Sequence, residues 1–305
     1  MKNLKRRDFL RTSIITGGAI LIGPRIVSAF SKPSTTPVEA DIVTISGDDP
    51  MMNMANLLEP LGGISRYVKS GQSVGILINS PWKNPGYYTN PDVALAVAKL
   101  CLEAGAGSIV CFKPVPSGYW EKSKEYVSSE TMVKGFTYGG ERIEVDIPRG
   151  ISLKKAEIFK TFNEVDVYIS IPVAKHHMGT IFSGNLKGLM GVSTSNTNRH
   201  MHSSDGQYTY DNEEYLAQCV ADLNLIRKPD LCVVDAIECA TNNGPAGPGE
   251  TCRPNKIVAG TDPLALDVYA ARLIGFNPDD ILTFPKAYTH GLGEIDPGKL
   301  RVVEL

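Results

Sequence analysis

Short apolar runs alternate with helical patterns along most of the chain. Residues 74–78 (VGILI) are continuously apolar and predict a buried strand, and residues 92–104 (DVALAVAKLCLEA) place apolar side chains at helical spacing. Gly105 ends that helix, and a second apolar run follows at residues 108–112 (SIVCF). A strand, a helix of about a dozen residues and another strand make a βαβ unit, which implies parallel strands.

The same alternation returns in the second half of the chain. It predicts strands at residues 165–171, 231–235 and 256–260, and helices at residues 213–225 and 263–274. Residues 117–149 are more polar and carry only short alternations, which predicts a small inserted subdomain outside the main sheet. The pattern as a whole predicts an α/β fold, with a mostly parallel twisted sheet, flanking helices and a small inserted subdomain.

The first residues of the chain resemble a twin-arginine export signal. Arg6 and Arg7 precede Phe9 and Leu10, which follows the consensus of paired arginines, one residue and two apolar ones. Residues 13–23 are apolar and uncharged. A membrane-spanning helix needs about 20 apolar residues, so this shorter run is better explained as the hydrophobic region of a signal.

These features divide the chain into two parts. Residues 27–29 (VSA) form a small-residue cleavage site, although the signal could instead be kept as an anchor. We expect residues 1–38 to be signal and linker, and residues 39–305 to form a single α/β domain. The twin-arginine translocase would then carry the protein to the periplasm or to the outer face of the cell envelope.

Composition and charge narrow the classes of partner. The chain is 42% hydrophobic and 21% charged, with a formal net charge of −2, which is ordinary for a globular domain. Basic residues cluster only in the predicted signal. Because nucleic-acid binding depends on a basic surface, we expect no nucleic-acid partner.

The cysteines leave two interpretations open. None of the six forms a Cys-x-x-Cys pair, which argues against an iron–sulfur cluster held by this chain alone. Cys239 and Cys252 bracket a loop rich in glycine, proline and asparagine. In an exported protein, where disulfides persist, a loop-closing disulfide is one interpretation of this pair. A thiolate metal site is the other.

Ligands of open α/β sheets bind at the carboxyl ends of the strands. Four loops are expected at that edge, and they follow Ile78, Ile171, Asp235 and Gly260. All four are rich in asparagine, histidine, lysine, glycine or aspartate. The convergence of four polar loops predicts a functional site where they meet.

The loop after Ile171 is the richest of the four in reactive side chains. Lys175 and Lys187 lie beside glycine-rich backbone, which suits a phosphate or a carboxylate, and a histidine of the pair His176 and His177 could act as a ligand or a general base. We predict that these four residues are catalytic. Asn185, in the same loop, is a candidate ligand-binding residue.

The other three loops supply further candidates for ligand binding. They are Asn79 and Lys83 after the first strand, Asn243 and Gly244 after the third, and Asp262 and Asp267 after the fourth. Helix capping explains Asp262 as well as a binding role does, and a tight surface loop would also use the glycines. Asp267 is an acid on an apolar helix face, which capping does not explain.

His200 and His202 form an H-x-H pair close to the other two histidines. On an extended segment this spacing can hold a divalent metal. The sequence therefore leaves open a metal at His200 and His202. No nucleophile elbow, Walker loop or G-x-G-x-x-G after a strand is present, so hydrolase, nucleotide triphosphatase and Rossmann dehydrogenase activities are poorly supported.

Four segments of the chain resemble the bacterial and archaeal proteins grouped as domain of unknown function 362. They are residues 78–106, residues 166–191, residues 229–238 with 242–249, and residues 258–276. The resemblance implies an α/β domain and brings no settled activity. Val173 replaces a lysine that is frequent in the family, and Gly188 replaces an asparagine. Some relatives occur near iron–sulfur modules, and the cysteines of this chain give no reason to transfer that association.

Together these features predict an exported enzyme or cofactor-handling protein. Its His/Lys-rich loops would bind an anionic organic ligand, with or without a divalent metal, and a histidine would transfer a proton. The alternative is a non-catalytic periplasmic protein that captures a small anion or presents a cofactor to a redox partner.

Overall fold

The structure is a computed structural model that describes residues 40–203 and 212–305. The predicted export signal at residues 1–38 lies outside the described residues. Within the two described ranges, no helix is both long enough and apolar enough to cross a membrane.

The strands and helices follow one another in the order that the alternating pattern predicts. The strands are β1 (Ile42–Ser46), β2 (Ser73–Ile78), β3 (Ser108–Cys111), β4 (Thr137–Tyr138), β5 (Arg142–Asp146), β6 (Lys155–Phe159), β7 (Val167–Ile171), β8 (Lys175–His177), β9 (Ile181–Ser183), β10 (Leu231–Ala236), β11 (Cys239–Ala240), β12 (Thr251–Cys252), β13 (Lys256–Gly260) and β14 (Val302–Glu304). The helices are α1 (Pro50–Leu58), α2 (Pro91–Glu103), α3 (Tyr126–Lys134), α4 (Thr161–Glu164), α5 (Asn185–Gly188), α6 (Ser195–His202), α7 (Glu213–Leu223), α8 (Pro263–Leu273) and α9 (Thr283–Thr289).

Three helices begin with the same two-residue signature. The side chains of Asp49, Asn90 and Asp262 accept hydrogen bonds from backbone N–H groups in the first turns of α1, α2 and α8, and a proline follows each of them. An Asx side chain satisfies an otherwise unpaired donor, and proline has no N–H to satisfy at that position. The capping role predicted for Asp262 is therefore present.

The central sheet has eight strands in the order β14-β1-β13-β10-β7-β2-β3-β4. Strand β13 is antiparallel to both of its neighbours, and every other pairing in this sheet is parallel. Helices flank the sheet, and small hairpins lie beside it. The prediction of an α/β fold with a mostly parallel sheet is confirmed.

Both faces of the central strands are buried, which explains their continuous apolar sequences. Along β7, Ile169 and Ile171 pack in a cluster with α1 and α2, whereas Tyr168 packs on the other face in a cluster with α7 and α8. Successive side chains of a strand point to opposite faces, so one apolar run supplies both cores.

The direction of β13 places the loop that follows it away from its predicted position. The connection from β10 to β13 contains only the hairpin of β11 and β12, without a crossover helix, and such a connection returns the chain antiparallel. The carboxyl end of β13 therefore lies beside the amino ends of its neighbours, opposite to the carboxyl ends of β2, β7 and β10. The loop after Gly260 does not join the other three loops there.

The polar segment 117–149 is only partly separate from the main sheet. Strand β4 joins the edge of the central sheet beside β3, whereas β5 pairs with β6 in a two-stranded hairpin. The segment thus contributes one short edge strand as well as the peripheral structure that its polarity predicts.

Candidate functional site

A cavity of about 380 Å³ lies where the ends of β2 and β7 meet. Leu77, Ile78 and Asn79 line it from β2 and its loop, and Ser170 and Pro172 line it from β7. From these neighbouring strands the chain continues to opposite sides, to β3 on one side and to β10 on the other. Ligands of open α/β folds bind at such a switch point.

Three lysine side chains, those of Lys113, Lys175 and Lys187, line the cavity. Its walls are mainly apolar and include Trp82 and Met190. No carboxylate occurs among the described residues that line it. The described part of the cavity is therefore a positively charged site with apolar walls.

Lys175 is held by backbone oxygens and aromatic rings. Its Nζ donates hydrogen bonds to the carbonyl oxygens of Tyr87 at 3.1 Å and Pro245 at 2.7 Å. The same Nζ lies 5.4 Å from the ring centre of Trp82 and 5.9 Å from that of Tyr87. Burial, with the positive charge of Lys187, lowers the pKa of Lys175 to about 7.

Lys187 lies on α5, a single helical turn that a buried carboxylate holds in place. Asp267 accepts hydrogen bonds from the backbone N–H groups of Asn185 and Leu186 and from the side-chain amide of Asn185, at 2.7–3.0 Å. Burial lowers the pKa of Lys187 to about 7. Asn185 and Asp267, both predicted to bind ligand, therefore lie behind the cavity wall and position Lys187.

Lys113, which follows β3 after one residue, is not among the site residues predicted from the sequence. Burial lowers the pKa of its amine. A Cβ on Gly191 would lie 4.0 Å from the Nζ of Lys113, an ordinary van der Waals contact, so the amine lies beside Gly191. The sequence contained enough information to predict this residue. Strand β3 is predicted to be parallel, so a polar residue just after it lies at the same carboxyl ends of the strands as the other loops.

Two histidines line the cavity, and their hydrogen bonds place protons on different nitrogens. His177 Nδ1 accepts a hydrogen bond from the backbone N–H of Gly179 at 3.1 Å, so its proton lies on Nε2. His202 Nδ1 lies 2.7 Å from the carbonyl oxygen of Asn198 and donates to it, which makes Nε2 its acceptor nitrogen. The two ring centres are 6.3 Å apart.

Burial keeps both of these histidines neutral near pH 7. It lowers the pKa of His177 well below the usual value and also lowers the pKa of His202, and the charge of Lys187 adds to both shifts. In these tautomers His177 carries its proton on Nε2 and His202 carries none there, so the pair contains both an N–H group and an unprotonated ring nitrogen.

His176 does not line the cavity, because successive residues of β8 point to opposite sides. Its Nδ1 accepts a hydrogen bond from the backbone N–H of Gly244 at 3.0 Å, and its ring lies 6.1 Å from that of Phe276. This bond fixes the loop that brings Pro245 to Lys175. His176 and Gly244 therefore act on the cavity through Pro245.

The remaining candidates divide between the cavity and the surface. Asn79 lines the cavity, whereas Lys83 is exposed and lies away from it. The Asn243 side chain donates to the carbonyl oxygen of Pro248, within its own loop. Asp262 caps α8 and accepts a hydrogen bond from the N–H of Glu294 at 2.8 Å. Asp262 does not line the cavity, because β13, which precedes it, is antiparallel to β10 and ends beside the amino end of that strand.

The structure separates His200 from His202. The metal interpretation assumes an extended segment, but both residues lie on α6, where positions two apart point to different sides. His200 Nε2 lies 3.1 Å from the Tyr215 hydroxyl, outside the cavity. Among residues 40–203 and 212–305, no three histidine, cysteine, aspartate or glutamate side chains are grouped to hold a metal.

Cys239 and Cys252 lie directly opposite each other on β11 and β12. Both are free thiols, Cys239 buried and Cys252 partly exposed. A hydrogen bond from Cys239 lowers the pKa of Cys252 to about 7. The predicted disulfide is not formed in the structure, although the two side chains are neighbours.

Comparison with known proteins identifies the family. A family model described as "Domain of unknown function (DUF362)" matches residues 74–272, more than half of the chain. Thylakoid-associated protein sll1697 from Synechocystis sp. is 27% identical over 256 residues, which cover 79% of this chain and 75% of that protein.

Among solved structures, one match is the lactate racemase apoprotein from Thermoanaerobacterium thermosaccharolyticum. The match has a TM-score of 0.41 and 14% sequence identity, and covers 65% of this chain. The chain spans about half of that protein, 51% of its length. On the family match, the chain belongs to the domain of unknown function 362 family.

Proposed function

We propose that the cavity at the ends of β2 and β7 binds an anionic organic ligand. The proposal rests on one observation: Lys113, Lys175 and Lys187 converge on a cavity whose described lining contains no carboxylate. Burial makes three ammonium groups costly in this place, and repulsion from Lys187 adds to the cost at Lys175, as the lowered pKa values of the three lysines indicate. An anion bound among them would offset that cost.

The size and walls of the cavity favour an organic anion over an inorganic one. Small-molecule sites have volumes of roughly 300–1,000 Å³ and mostly apolar walls with a few convergent polar groups. The cavity has a volume of about 380 Å³ and places Trp82 and Met190 beside the lysines. A phosphate or carboxylate at the lysines, joined to an apolar body, would use both kinds of surface.

The two cavity histidines favour an enzyme or a cofactor-handling protein over simple capture. His177 carries its proton on Nε2, and Nε2 of His202 carries none. Binding of an anion alone would not require this pairing. The alternative is a non-catalytic binding protein, and the lysines suffice for that role. Turnover of the bound ligand, as opposed to thermal stabilisation without turnover, separates the two.

We also propose that the protein is exported by the twin-arginine pathway and that Cys239 and Cys252 are joined after export. The paired Arg6 and Arg7 support the first step. The direct cross-strand placement of the two thiols supports the second. Thiol–disulfide exchange with a disulfide-bearing oxidant of the exported compartment would take two electrons and two protons from the pair.

One preparation tests these proposals. The full chain is expressed, purified from the periplasm without denaturation, and extracted for small-molecule mass spectrometry. We expect an organic anion in roughly stoichiometric amount in the wild type and in the surface control Lys83→Met, and about a tenfold loss in Lys113→Met/Lys187→Met, because two of three charge-assisted contacts are removed. An anion equally present in the double variant, or absent from the wild type, contradicts the binding proposal.

The same preparation reports on export and on the thiols. Arg6→Lys/Arg7→Lys should be missing from the periplasm, and alkylation should leave Cys239 and Cys252 unmodified in the exported wild type. Export that persists in the double-arginine variant contradicts the pathway, and alkylation of both thiols contradicts the disulfide.

A further inference from the structure

We propose that Lys187 forms an imine with a ligand that carries both an anionic group and an aldehyde or ketone. The inference rests on the proposed function, because it names the class of ligand for the same cavity. It follows from the different surroundings of Lys175 and Lys187, from the rigid support of Lys187, and from the two histidines beside it.

The surroundings of Lys175 favour its ammonium form. Two carbonyl oxygens accept hydrogen bonds from its Nζ, and two aromatic rings lie beside it. Carbonyl oxygens and ring faces both stabilise a cation. Lys175 is therefore suited to hold an anionic group electrostatically.

Lys187 has no such support. In the described ranges, no hydrogen bond or ion pair to its Nζ is found, and the side chain is open only partly, where it lines the cavity. A lysine that is desolvated next to other cations loses its proton most readily, and the neutral amine is the nucleophilic form. Because two carbonyl oxygens engage the Nζ of Lys175, Lys187 is the lysine suited to act as the amine.

The backbone that carries Lys187 is fixed from two sides. Asp267, which is 1% exposed, accepts three hydrogen bonds at the start of α5. The side-chain amide of Asn224 donates to the carbonyl oxygen of Leu186 at 2.9 Å. Buried polar groups that anchor a single helical turn hold a side chain in one place, as a reacting residue requires.

The cavity residues can complete the reaction without another reagent. The Lys187 amine attacks the carbonyl carbon and forms a carbinolamine, and loss of water then gives the imine. His202 Nε2 can accept a proton that the amine releases and return it to the departing oxygen, which leaves as water, while His177 Nε2–H can hydrogen-bond to that oxygen. Lys187, His177 and His202 all line the same cavity. Lys113 and Lys175 would hold the anionic group.

The test compares two probes that differ only at the reacting group. Pyridoxal 5′-phosphate carries a phosphate and an aldehyde, and pyridoxine 5′-phosphate carries an alcohol in place of the aldehyde. The full chain is incubated with a substoichiometric amount of the aldehyde, reduced with borohydride, and mapped by peptide mass spectrometry. Pyridoxine 5′-phosphate affinity is measured by calorimetry in parallel.

We expect the wild type and the surface control Lys83→Met to carry the reduced adduct on Lys187. Lys187→Arg keeps the positive charge but cannot form the imine, so it should lose that adduct while still binding pyridoxine 5′-phosphate more weakly than the wild type does, and Lys83→Met should bind it as the wild type does. Near-UV circular dichroism checks its fold, and Lys187→Gln serves as a second variant if Lys187→Arg does not fold.

The two failures are distinguishable. Tight binding of pyridoxine 5′-phosphate with no adduct on Lys187, or with the adduct on Lys175 or on surface lysines, overturns the imine and leaves anion binding intact. Failure of the wild type to bind pyridoxine 5′-phosphate overturns anion binding for this phosphate and the imine with it.

Discussion

Lys187 combines a charge that is poorly solvated with a position that a ligand can reach. Burial lowers its pKa to about 7, from an ordinary value of 10.5. Between these two pH values, the unfolded chain binds a proton on Lys187 that the folded chain does not bind. The free energy of unfolding therefore rises as the pH rises from about 7 to about 10.5. Below pH 7 both states are protonated, and the burial penalty is at its largest.

This linkage predicts that Lys187→Met stabilises the unliganded protein at pH 7. Removal of a buried, unpaired charge should raise the free energy of unfolding by about 1–3 kcal/mol, and the rise in stability between pH 7 and pH 9.5 should become smaller. Lys175 titrates in the same range, so part of the slope remains. Urea denaturation at the two pH values measures both effects, and a variant less stable than the wild type at pH 7 would show that Lys187 has an unrecognised stabilising partner.

The sequence predicted some of the residues that line the cavity. Lys175, His177, Lys187 and Asn79 line the cavity. His176 does not line it, because its side chain and that of His177 alternate along β8. A list of polar residues in a loop cannot resolve this, because the side to which each residue points depends on whether the loop forms a strand or a helix.

The loop between β11 and β12 shows how an element controls the site. It carries Pro245, whose carbonyl oxygen accepts from Lys175, and it is tied to β8 by the bond from Gly244 to His176. A Cβ on Gly244 would lie 1.9 Å from the carbonyl oxygen of His176, which is a backbone atom and cannot rotate away. Glycine is thus required for the loop to approach β8.

We therefore predict that Gly244→Ala moves the loop away from β8. The clash should lower the free energy of unfolding by about 1–3 kcal/mol and weaken pyridoxine 5′-phosphate binding, because Lys175 loses a hydrogen bond that positions it. Gly140→Ala is the matched control: a Cβ there meets no atom within 4 Å, and the stability change should stay within about 0.5 kcal/mol. Equal free energies of unfolding in the two variants would show that the loop can move to relieve the clash without loss of stability.

Elements were predicted more reliably than their directions. Apolar runs identify β2, β7, β10 and β13 correctly as strands, because strands that are buried on both faces need continuous apolar sequence. Nothing in the run at β13 reveals that it is antiparallel. Its direction follows from the preceding connection, which has a small hairpin in place of a crossover helix. This is why Asp262 was expected at the site and lies elsewhere.

In the molecule as a whole, the cavity lies where the chain leaves the neighbouring strands β2 and β7 toward opposite sides of the sheet. The topology creates the opening, and the lysines that follow β3 and β7 give it positive charge. The sequence predicts at which ends of the strands the cavity lies, since the loops after Ile78 and Ile171 both reach it. It does not predict the order of the strands in the sheet.

Anomalous diffraction from crystals soaked in bromide tests the central claim, an anion site among the three cavity lysines, most directly. We expect a strong bromide peak inside the cavity, within contact distance of at least two of the amines of Lys113, Lys175 and Lys187, and a weaker peak there in Lys187→Met. Bromide peaks confined to the outer surface, with no peak in the cavity of the wild type, would contradict it.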